Sequence, residues 1–191
     1  MSGTTSRQCA ATRIHPRVAV DAVLFTIDQG QLRTLLIKIK KGVFAGRWAF
    51  PGGLVRAAEA VDAAAQRELY EKTGVRDLYL EQLYTFGDAQ RDPSARTVAV
   101  SYFALVPPLD HAPHSGEKYA DIKWFPVHAL PGLAYDHNAV AAYALERLQT
   151  KLSYSNIVYS LLPREFTVAE LQEIYEIILG RNLDRRNFRR K

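Results

Sequence analysis

The stretch that decides the fold is Gly53-Leu-Val-Arg-Ala-Ala-Glu59, followed after seven residues by Arg67-Glu-Leu-Tyr-Glu-Lys-Thr-Gly-Val75. Residues 60–73 are rich in good helix formers, and Gly74 stands where a left-handed C-cap belongs, so the pattern predicts a loop that enters a helix. Glu68 and Glu71 are three residues apart and share one helix face, which Glu59 can reach from the loop. Three converging carboxylates suit Mg2+, which takes oxygen ligands and bridges to phosphates.

This pattern resembles the Nudix box: Gly, five residues, Glu, seven residues, Arg-Glu-apolar-any-Glu-Glu-any-Gly-apolar. The preceding segment, Trp48-Ala-Phe-Pro-Gly-Gly53, is also typical of that family. The match is specific, because many fixed positions fall at the right spacing. The alternative interpretation is an ordinary surface helix with scattered acidic residues.

One position departs from the box, since the second of its paired glutamates is Lys72 here. That glutamate is commonly a metal ligand in Nudix hydrolases. A lysine four residues after Glu68 forms a helical ion pair worth about 0.2–0.5 kcal/mol, and it puts a positive charge where a ligand of the metal would stand. Phosphoryl chemistry needs the metal to hold the bridging oxygens. We therefore expect no efficient hydrolase, weak Mg2+ binding at most through Glu68 and Glu71, and a vestigial box at Glu59, Arg67, Glu68, Glu71 and Lys72.

Composition limits the class of protein. A chain of 191 residues with 48 % apolar content can hold one sizeable core or two small ones. No apolar run approaches the ~20 residues of a membrane span, and the polar N-terminus is not a signal peptide, so we expect no membrane association. The single cysteine, Cys9, excludes an internal disulfide framework and fits a reducing cytoplasm, where we expect the protein to act.

The excess positive charge lies at the C-terminus. Residues 181–191 hold six basic residues and one acidic residue, whereas the rest of the chain carries 19 of each sign. A basic cluster of that density is typical of a nucleic-acid contact. A solubilising or disordered tail is the alternative.

Several apolar segments predict a sheet. We expect residues 1–16 to form a disordered tail and the next residues to alternate strands with one central helix, which favours an α/β/α sandwich around a mixed sheet. Nudix domains have this architecture, and the resemblance implies a Nudix-like effector-binding domain at residues 17–137. The predicted strands cover residues 18–27, 34–39, 47–50, 77–86, 96–106 and 121–126.

The loop between the last two long strands carries a second resemblance. Gly87-Asp, then Arg91-Asp92-Pro93, is similar to Nudix proteins that handle ADP-ribose, which implies that Arg91 and Asp92 border a ligand. Arg91 could pair with phosphate in a forked geometry, although Asp92-Pro93 could instead only make the turn. Glycines before the box permit close backbone approach to a phosphate or sugar. The expected effector-binding residues are Arg47, Phe50, Gly52, Gly53, Glu68, Arg91 and Asp92.

The C-terminal part predicts a helix-turn-helix at residues 138–191. An Ala- and Leu-rich helix at residues 139–152 precedes a capping box at Thr167-Val-Ala-Glu170, which starts a helix that ends at Gly180. Asp184 can cap a final basic helix, which Phe188 would hold on the core while the rest enters the major groove. A helical hairpin for dimerisation, with a solvated basic face, is the alternative. The expected DNA-binding residues are Thr167, Arg181, Arg185, Arg186, Asn187, Arg189, Arg190 and Lys191.

Together the two parts resemble the bacterial Nudix-related transcriptional regulators of NAD metabolism, and Tyr135-Asp136-His137 and Leu183-Asp-Arg-Arg-Asn-Phe-Arg-Arg-Lys191 are typical of that family. The resemblance implies a homodimeric repressor that binds double-stranded operator DNA, with ADP-ribose or a related metabolite as effector. The family usually adds a β-hairpin wing after the recognition helix. Because the sequence ends at Lys191, we expect either a truncated chain or a member without the wing.

Two other classes of function stay open. One is a Mg2+-dependent ADP-ribose pyrophosphatase, since Glu59, Glu68 and Glu71 are all present. The other is a nucleotide-binding scaffold that has no function on DNA.

Overall fold

The computed structural model describes residues 14–107 and 119–190. Most of the expected N-terminal tail, including Cys9, and the predicted DNA contact Lys191 lie outside the described residues. In the described part, seven strands form one mixed sheet with helices on both faces. The strands are β1 (Arg17–Asp28), β2 (Gln31–Ile39), β3 (Trp48–Ala49), β4 (Gly52–Leu54), β5 (Glu81–Phe86), β6 (Thr97–Leu105) and β7 (Tyr119–Pro126), and the α-helices are α1 (Val61–Thr73), α2 (His137–Lys151), α3 (Val168–Leu179) and α4 (Arg185–Phe188).

The sheet is built around β1. The strand order is β3-β2-β1-β6-β5, with β4 also paired to β1 and β7 to β2. β1 and β6 run parallel, in a register that places Arg17 opposite Thr97 and Phe25 opposite Leu105, while the other pairs are antiparallel. The expected α/β/α sandwich around a mixed sheet is confirmed.

Alternate residues of β1 enter the two layers of the core. Val23 and Phe25 belong to the large apolar cluster that includes residues of α2 and α3. Ala22 and Leu24 belong to the cluster on the opposite face, which includes Leu69 of α1. Helices cover both faces of the central strands, and this explains why β1 is a nearly continuous apolar run.

The local signals for helix ends are confirmed. Gly74 ends α1 in the left-handed conformation with φ 73°, and its N–H donates to the carbonyl of Tyr70. Thr167 and Glu170 form the complete capping box at the start of α3. Gly180 ends α3 at φ 67°, and the Asp184 carboxylate accepts a hydrogen bond from the N–H of Asn187 at 2.8 Å.

The core continues from the sheet into the C-terminal helices. Leu148 of α2 and Ile174 and Ile178 of α3 are buried in the same apolar cluster as Phe103 of β6. The side-chain amide of Gln149 donates to the carbonyl of Ile178 at 2.9 Å, which joins α2 to α3. Helices α2 and α3 are therefore packed on the sheet without a break in the apolar core.

Several elements differ from the sequence predictions in their bounds or in their presence. The strand expected from residue 77 begins only at Glu81, because Asp77 takes a left-handed conformation at φ 60° and turns the chain. The final helix ends at Phe188, so Arg189 and Arg190 follow it. The short strand β4 was not predicted, and it pairs with β1 at Gly53 and Val20. Of the helices in residues 14–107 and 119–190, none is long and apolar enough to cross a membrane.

We predict that Ile178→Ala lowers the free energy of unfolding by about 2–5 kcal/mol, because it opens a cavity where α2, α3 and the sheet meet. Ile178 is 0 % exposed. Urea unfolding followed by circular dichroism measures the loss. Val168→Ala is the matched control at the start of the same helix, where the side chain is 48 % exposed. A loss at Ile178 no larger than that at Val168 would contradict the packing described here.

Candidate functional site

A cavity of about 300 Å³ lies where β1, β4, α1 and the start of α2 come together. Its lining combines apolar side chains, among them Ile37 and Phe50, with charged ones contributed by separate elements. The charged and ionisable lining residues are Arg17, Asp21, Lys72, Arg91, Asp92 and His137, together with Tyr135. An apolar surface with a few polar groups is what a small-molecule site requires.

Arg91 lies in a buried ion-pair network on this wall. Its guanidinium forks onto the Asp136 carboxylate, with Nε at 3.0 Å from Oδ2 and Nη2 at 2.8 Å from Oδ1. Nη2 also lies 3.3 Å from Oδ2 of Asp21, and the Arg91 side chain is only 3 % exposed. The forked geometry expected toward a phosphate is therefore made toward two carboxylates.

His137 completes the network. Its Nδ1 accepts a hydrogen bond from the N–H of Phe50 at 2.9 Å, and its Nε2 lies 3.4 Å from Oδ1 of Asp21. Burial tends to raise the pKa of Asp21, but His137, Arg91 and Lys72 outweigh it and hold that pKa below its ordinary value. The carboxylate is therefore ionised in the pocket wall.

The three box carboxylates meet around Arg67. Arg67 donates from Nε to Glu59 at 2.6 Å and from Nη1 to Glu68 at 2.6 Å, and Nη1 lies 3.6 Å from a carboxylate oxygen of Glu71. The hydrogen bonds that Glu59 accepts, chiefly from Arg67, lower the pKa of Glu59 to about 2. Glu71 also pairs with Arg56 at 3.1 Å. The cation among the carboxylates is thus a side chain of the box itself.

Glu68 has a cation at each oxygen. Oε1 pairs with Arg67, and Oε2 lies 3.0 Å from Nζ of Lys72. Burial tends to raise the pKa of Glu68, but Lys72 and Arg67 outweigh it and lower that pKa. Within the described ranges, no group of three or more His, Cys, Asp or Glu side chains is arranged to hold a metal ion. As they stand, the residues do not fit Mg2+.

Packing within the fold, and not contact with a ligand, explains why the two residues before the box are glycines. A Cβ on Gly52 would lie 2.2 Å from the Val20 carbonyl oxygen and 2.5 Å from the Asp21 carboxylate. A Cβ on Gly53 would lie 2.4 Å from the Glu68 carboxylate. Both residues also line the cavity, but their lack of a side chain is explained by the close approach of β4 to β1 and α1.

The other predicted effector residues occupy different surroundings. Asp92 lines the cavity and accepts hydrogen bonds from Ser94 and Thr97, so it shapes the turn that was considered as the alternative. Phe50 is buried, with its ring 5.4 Å from that of His137. Arg47 is exposed in the turn before β3 and does not contribute to the cavity lining.

Sequence reasoning missed several residues of the cavity wall, among them Asp21 and His137. A signal was present for Asp21, which is the only charged residue in the apolar run from Val18 to Ile27. A charge in a buried strand needs partners, and these mark a functional site. His137 was quoted for the family resemblance but was given no place in the pocket.

The predicted DNA-binding residues surround α4. The ring of Phe188 packs edge-on against Tyr175 of α3 with a centroid distance of 5.2 Å, which leaves the basic side chains outside. Thr167 lies elsewhere, at the start of α3, where its hydroxyl accepts from the N–H of Glu170. The predicted DNA-binding residues that are exposed on α4 or next to it are Arg181, Arg185, Arg186, Asn187, Arg189 and Arg190.

Comparison with protein families gives two matches. Residues 15–148 match the NUDIX domain, and residues 158–191 match the NrtR DNA-binding winged helix domain. The first match covers the sheet with its cavity and most of α2, and the second covers α3 and α4.

Three known proteins share substantial sequence with the chain. The ADPR responsive transcriptional repressor NtrR of Acinetobacter baylyi is 41 % identical over 186 residues, which is 92 % of this chain and 72 % of the relative. The ADP-ribose pyrophosphatase of Methanocaldococcus jannaschii is 31 % identical over 127 residues, 66 % of this chain and 72 % of that protein. NrtR of Shewanella oneidensis, solved with a 27mer DNA, is 36 % identical with a TM-score of 0.77, covering 91 % of this chain and 80 % of that one. Its NUDIX domain, solved with ADP ribose, gives a TM-score of 0.64 at 36 % identity over 71 % of this chain and 90 % of that one.

We predict that Glu59→Gln makes the stability of the protein less sensitive to acid. The folded pKa of Glu59, about 2, lies below its ordinary 4.5, so ionised Glu59 stabilises the fold above pH 4.5, and this contribution is lost as the pH falls toward 2. Urea midpoints at several pH values in this window measure the slope. Glu173→Gln, on the exposed side of α3, is the control, and an unchanged slope in Glu59→Gln would contradict the pairing with Arg67.

Proposed function

Because the chain belongs to the Nudix family and carries an NrtR-type winged helix domain after its Nudix domain, we propose that it is a transcriptional repressor of NAD metabolism genes that responds to ADP-ribose. The main support for this proposal is that one chain has two features together: a Nudix cavity with paired box carboxylates, and an exposed basic helix. The cavity serves to bind an effector, and the basic helix serves to bind operator DNA.

The cavity suits a nucleotide with two phosphates. Its volume of about 300 Å³ lies at the lower end of the range for small-molecule sites, ~300–1,000 Å³. The exposed lining residues Leu54 and Tyr135 offer a surface for a base, whereas Arg17 and Lys72 offer positive charge for phosphates. NrtR of Shewanella oneidensis, whose NUDIX domain was solved with ADP ribose, supports ADP-ribose or a close relative as the effector.

We propose that this domain senses its ligand and does not hydrolyse it efficiently. The family also contains the ADP-ribose pyrophosphatase that matches this chain, so hydrolysis is the alternative function. Catalysis there requires carboxylates that are available to a metal. Here Arg67 and Lys72 already occupy the oxygens of Glu68, and Arg67 also holds Glu59.

The basic residues around α4 are the proposed DNA interface. Arginine suits a forked contact with guanine and asparagine suits adenine, so Arg185, Arg186 and Asn187 are the candidates for reading bases. Arg189 and Arg190 would contact phosphates, which orient the protein without specifying sequence. NrtR of Shewanella oneidensis, solved with a 27mer DNA, supports this assignment.

A chain of contacts connects the cavity with α4. The proposed boundary between the domains, at residues 137 and 138, falls at the start of α2, next to the network of Asp136 and Arg91. The far end of α2 joins α3 through the hydrogen bond from Gln149. From α3, the side chains of Gln172 and Glu176 bond to the backbone of Leu183, in the turn before α4. A shift of α2 is thereby transmitted to the basic helix.

The proposed regulation is a population shift in a homodimer. Two recognition helices must lie about one DNA turn apart, ~34 Å, to read a palindromic operator. An effector that binds one arrangement of the two subunits more tightly favours that arrangement. The coupling typical of such switches is about 1–3 kcal/mol, or ~5–150-fold in affinity.

We predict that the protein binds a labelled duplex from its own upstream region and that ADP-ribose changes this affinity by about 5–150-fold. Fluorescence anisotropy with and without ADP-ribose measures both affinities, and a duplex of scrambled sequence is the control. Specific binding that saturating ADP-ribose leaves unchanged would exclude the switch. Equal affinity for both duplexes would exclude sequence-specific regulation.

We predict that Arg185→Ala/Arg189→Ala weakens operator binding by about tenfold or more, since removing an arginine that binds a base typically costs about 1–3 kcal/mol. The plot of log affinity against log salt should become less steep by about 0.9 for each phosphate contact removed. Arg76→Ala/Lys123→Ala removes the same charge from exposed positions outside the C-terminal helices. If both double variants reduce the affinity equally, α4 is not the recognition element.

A further inference from the structure

Lys72 stands at the wall of the cavity with its charge turned toward acidic groups. Its ammonium lies 3.0 Å from Oε2 of Glu68, and the side chain is 11 % exposed. It lines the cavity together with Gly53, whose backbone lies against the Glu68 carboxylate. It also lies near enough to Asp21 to help keep that carboxylate ionised. Lys72 is thus a largely buried cation at the site of the box carboxylates.

This lysine makes the charge at the cavity less negative than a glutamate would. Three basic residues, Arg17, Lys72 and Arg91, line the cavity against two acidic ones, Asp21 and Asp92, and the ion-pair partners Glu68 and Asp136 lie against Lys72 and Arg91. A glutamate in place of Lys72, as in the box of Nudix hydrolases, would make this site more negative by two charges. A ligand with two phosphates would then need a dication to offset the repulsion. With Lys72 present, such a ligand does not need a dication.

The other buried cation of the wall is already neutralised. Arg91 lies between the Asp21 and Asp136 carboxylates with its side chain only 3 % exposed. Lys72 is also paired, with Glu68, but an ammonium group has three donors that point in different directions, so it can bind an oxygen of a ligand while it stays paired with Glu68. Lys72 is therefore the cation at the box carboxylates that is best placed to meet a phosphate.

We propose that the ammonium group of Lys72 binds the phosphates of the ligand and replaces the divalent cation that Nudix hydrolases use. This inference rests on the proposed function, in which the cavity binds ADP-ribose. A lysine supplies positive charge without the coordination geometry that aligns a nucleophile with phosphorus. The pocket therefore holds an intact pyrophosphate, and its occupancy depends on the nucleotide alone and not on the concentration of Mg2+.

Isothermal titration of the full chain with ADP-ribose, in EDTA and in MgCl2, tests this directly. The wild-type protein is expected to bind equally well in both buffers. Lys72→Met keeps the aliphatic stem and removes the charge, so it should bind about tenfold more weakly or worse, as expected when a charge-assisted hydrogen bond is removed. Lys123→Met is the matched control, because Lys123 is exposed on β7, and it should bind like the wild type.

Two further variants separate a contact with the ligand from simple neutralisation of Glu68. Lys72→Met/Glu68→Gln removes both charges of the ion pair, so no unpaired carboxylate destabilises the helix, and thermal unfolding verifies the fold. It should still bind weakly if Lys72 contacts phosphate. Lys72→Glu should bind weakly in EDTA and recover affinity in Mg2+, with hydrolysis of ADP-ribose measured alongside.

The outcomes distinguish this inference from the proposed function. Wild-type binding that appears only with Mg2+ would overturn the role of Lys72 and leave ADP-ribose sensing intact. Wild-type affinity in Lys72→Met/Glu68→Gln would also overturn it, since Lys72 would then serve only to neutralise Glu68. No wild-type binding in either buffer would overturn both proposals.

Discussion

Asp21 places a carboxylate in the buried stretch of β1, and an unpaired charge in such a position costs several kcal/mol. Three elements supply what it needs: Arg91 from the loop before β6, His137 from the start of α2 and Lys72 from the end of α1. The cavity exists where these elements are drawn together. The polar wall of the site therefore also helps to hold the start of α2 against β1.

In the box, the backbone geometry around Glu68 does not depend on which cation pairs with that carboxylate. Gly53 must lack a side chain because the Glu68 carboxylate lies against it, and this holds whatever cation that carboxylate meets. In this chain the cations are Arg67 and Lys72. The shape of the box is thus retained, while Lys72 puts a positive charge where the box has a glutamate.

Sequence reasoning succeeded where the signal is local. The caps at Gly74, Thr167 and Asp184 each depend on residues within one helical turn, and all three formed as predicted. It failed where partners are distant: Arg91 meets Asp21 and Asp136 across 70 and 45 residues of chain. No spacing rule predicts such a contact, so the partners of Arg91 and the place of Asp21 and His137 in the wall were missed. Arg91 does line the cavity, and its contact with a ligand stays a prediction.

The parallel pairing of β1 with β6 has a consequence for synthesis on the ribosome. Each β1 residue from Arg17 to Phe25 pairs with one 80 positions later in the chain. At about 5–20 residues per second that interval lasts about 4–16 s. Until β6 emerges, the nascent β1–β2 hairpin presents an apolar, unpaired edge, which is a template for association with other chains. The apolar run that makes the centre of the sheet stable is also the segment for which a chaperone would matter most during translation.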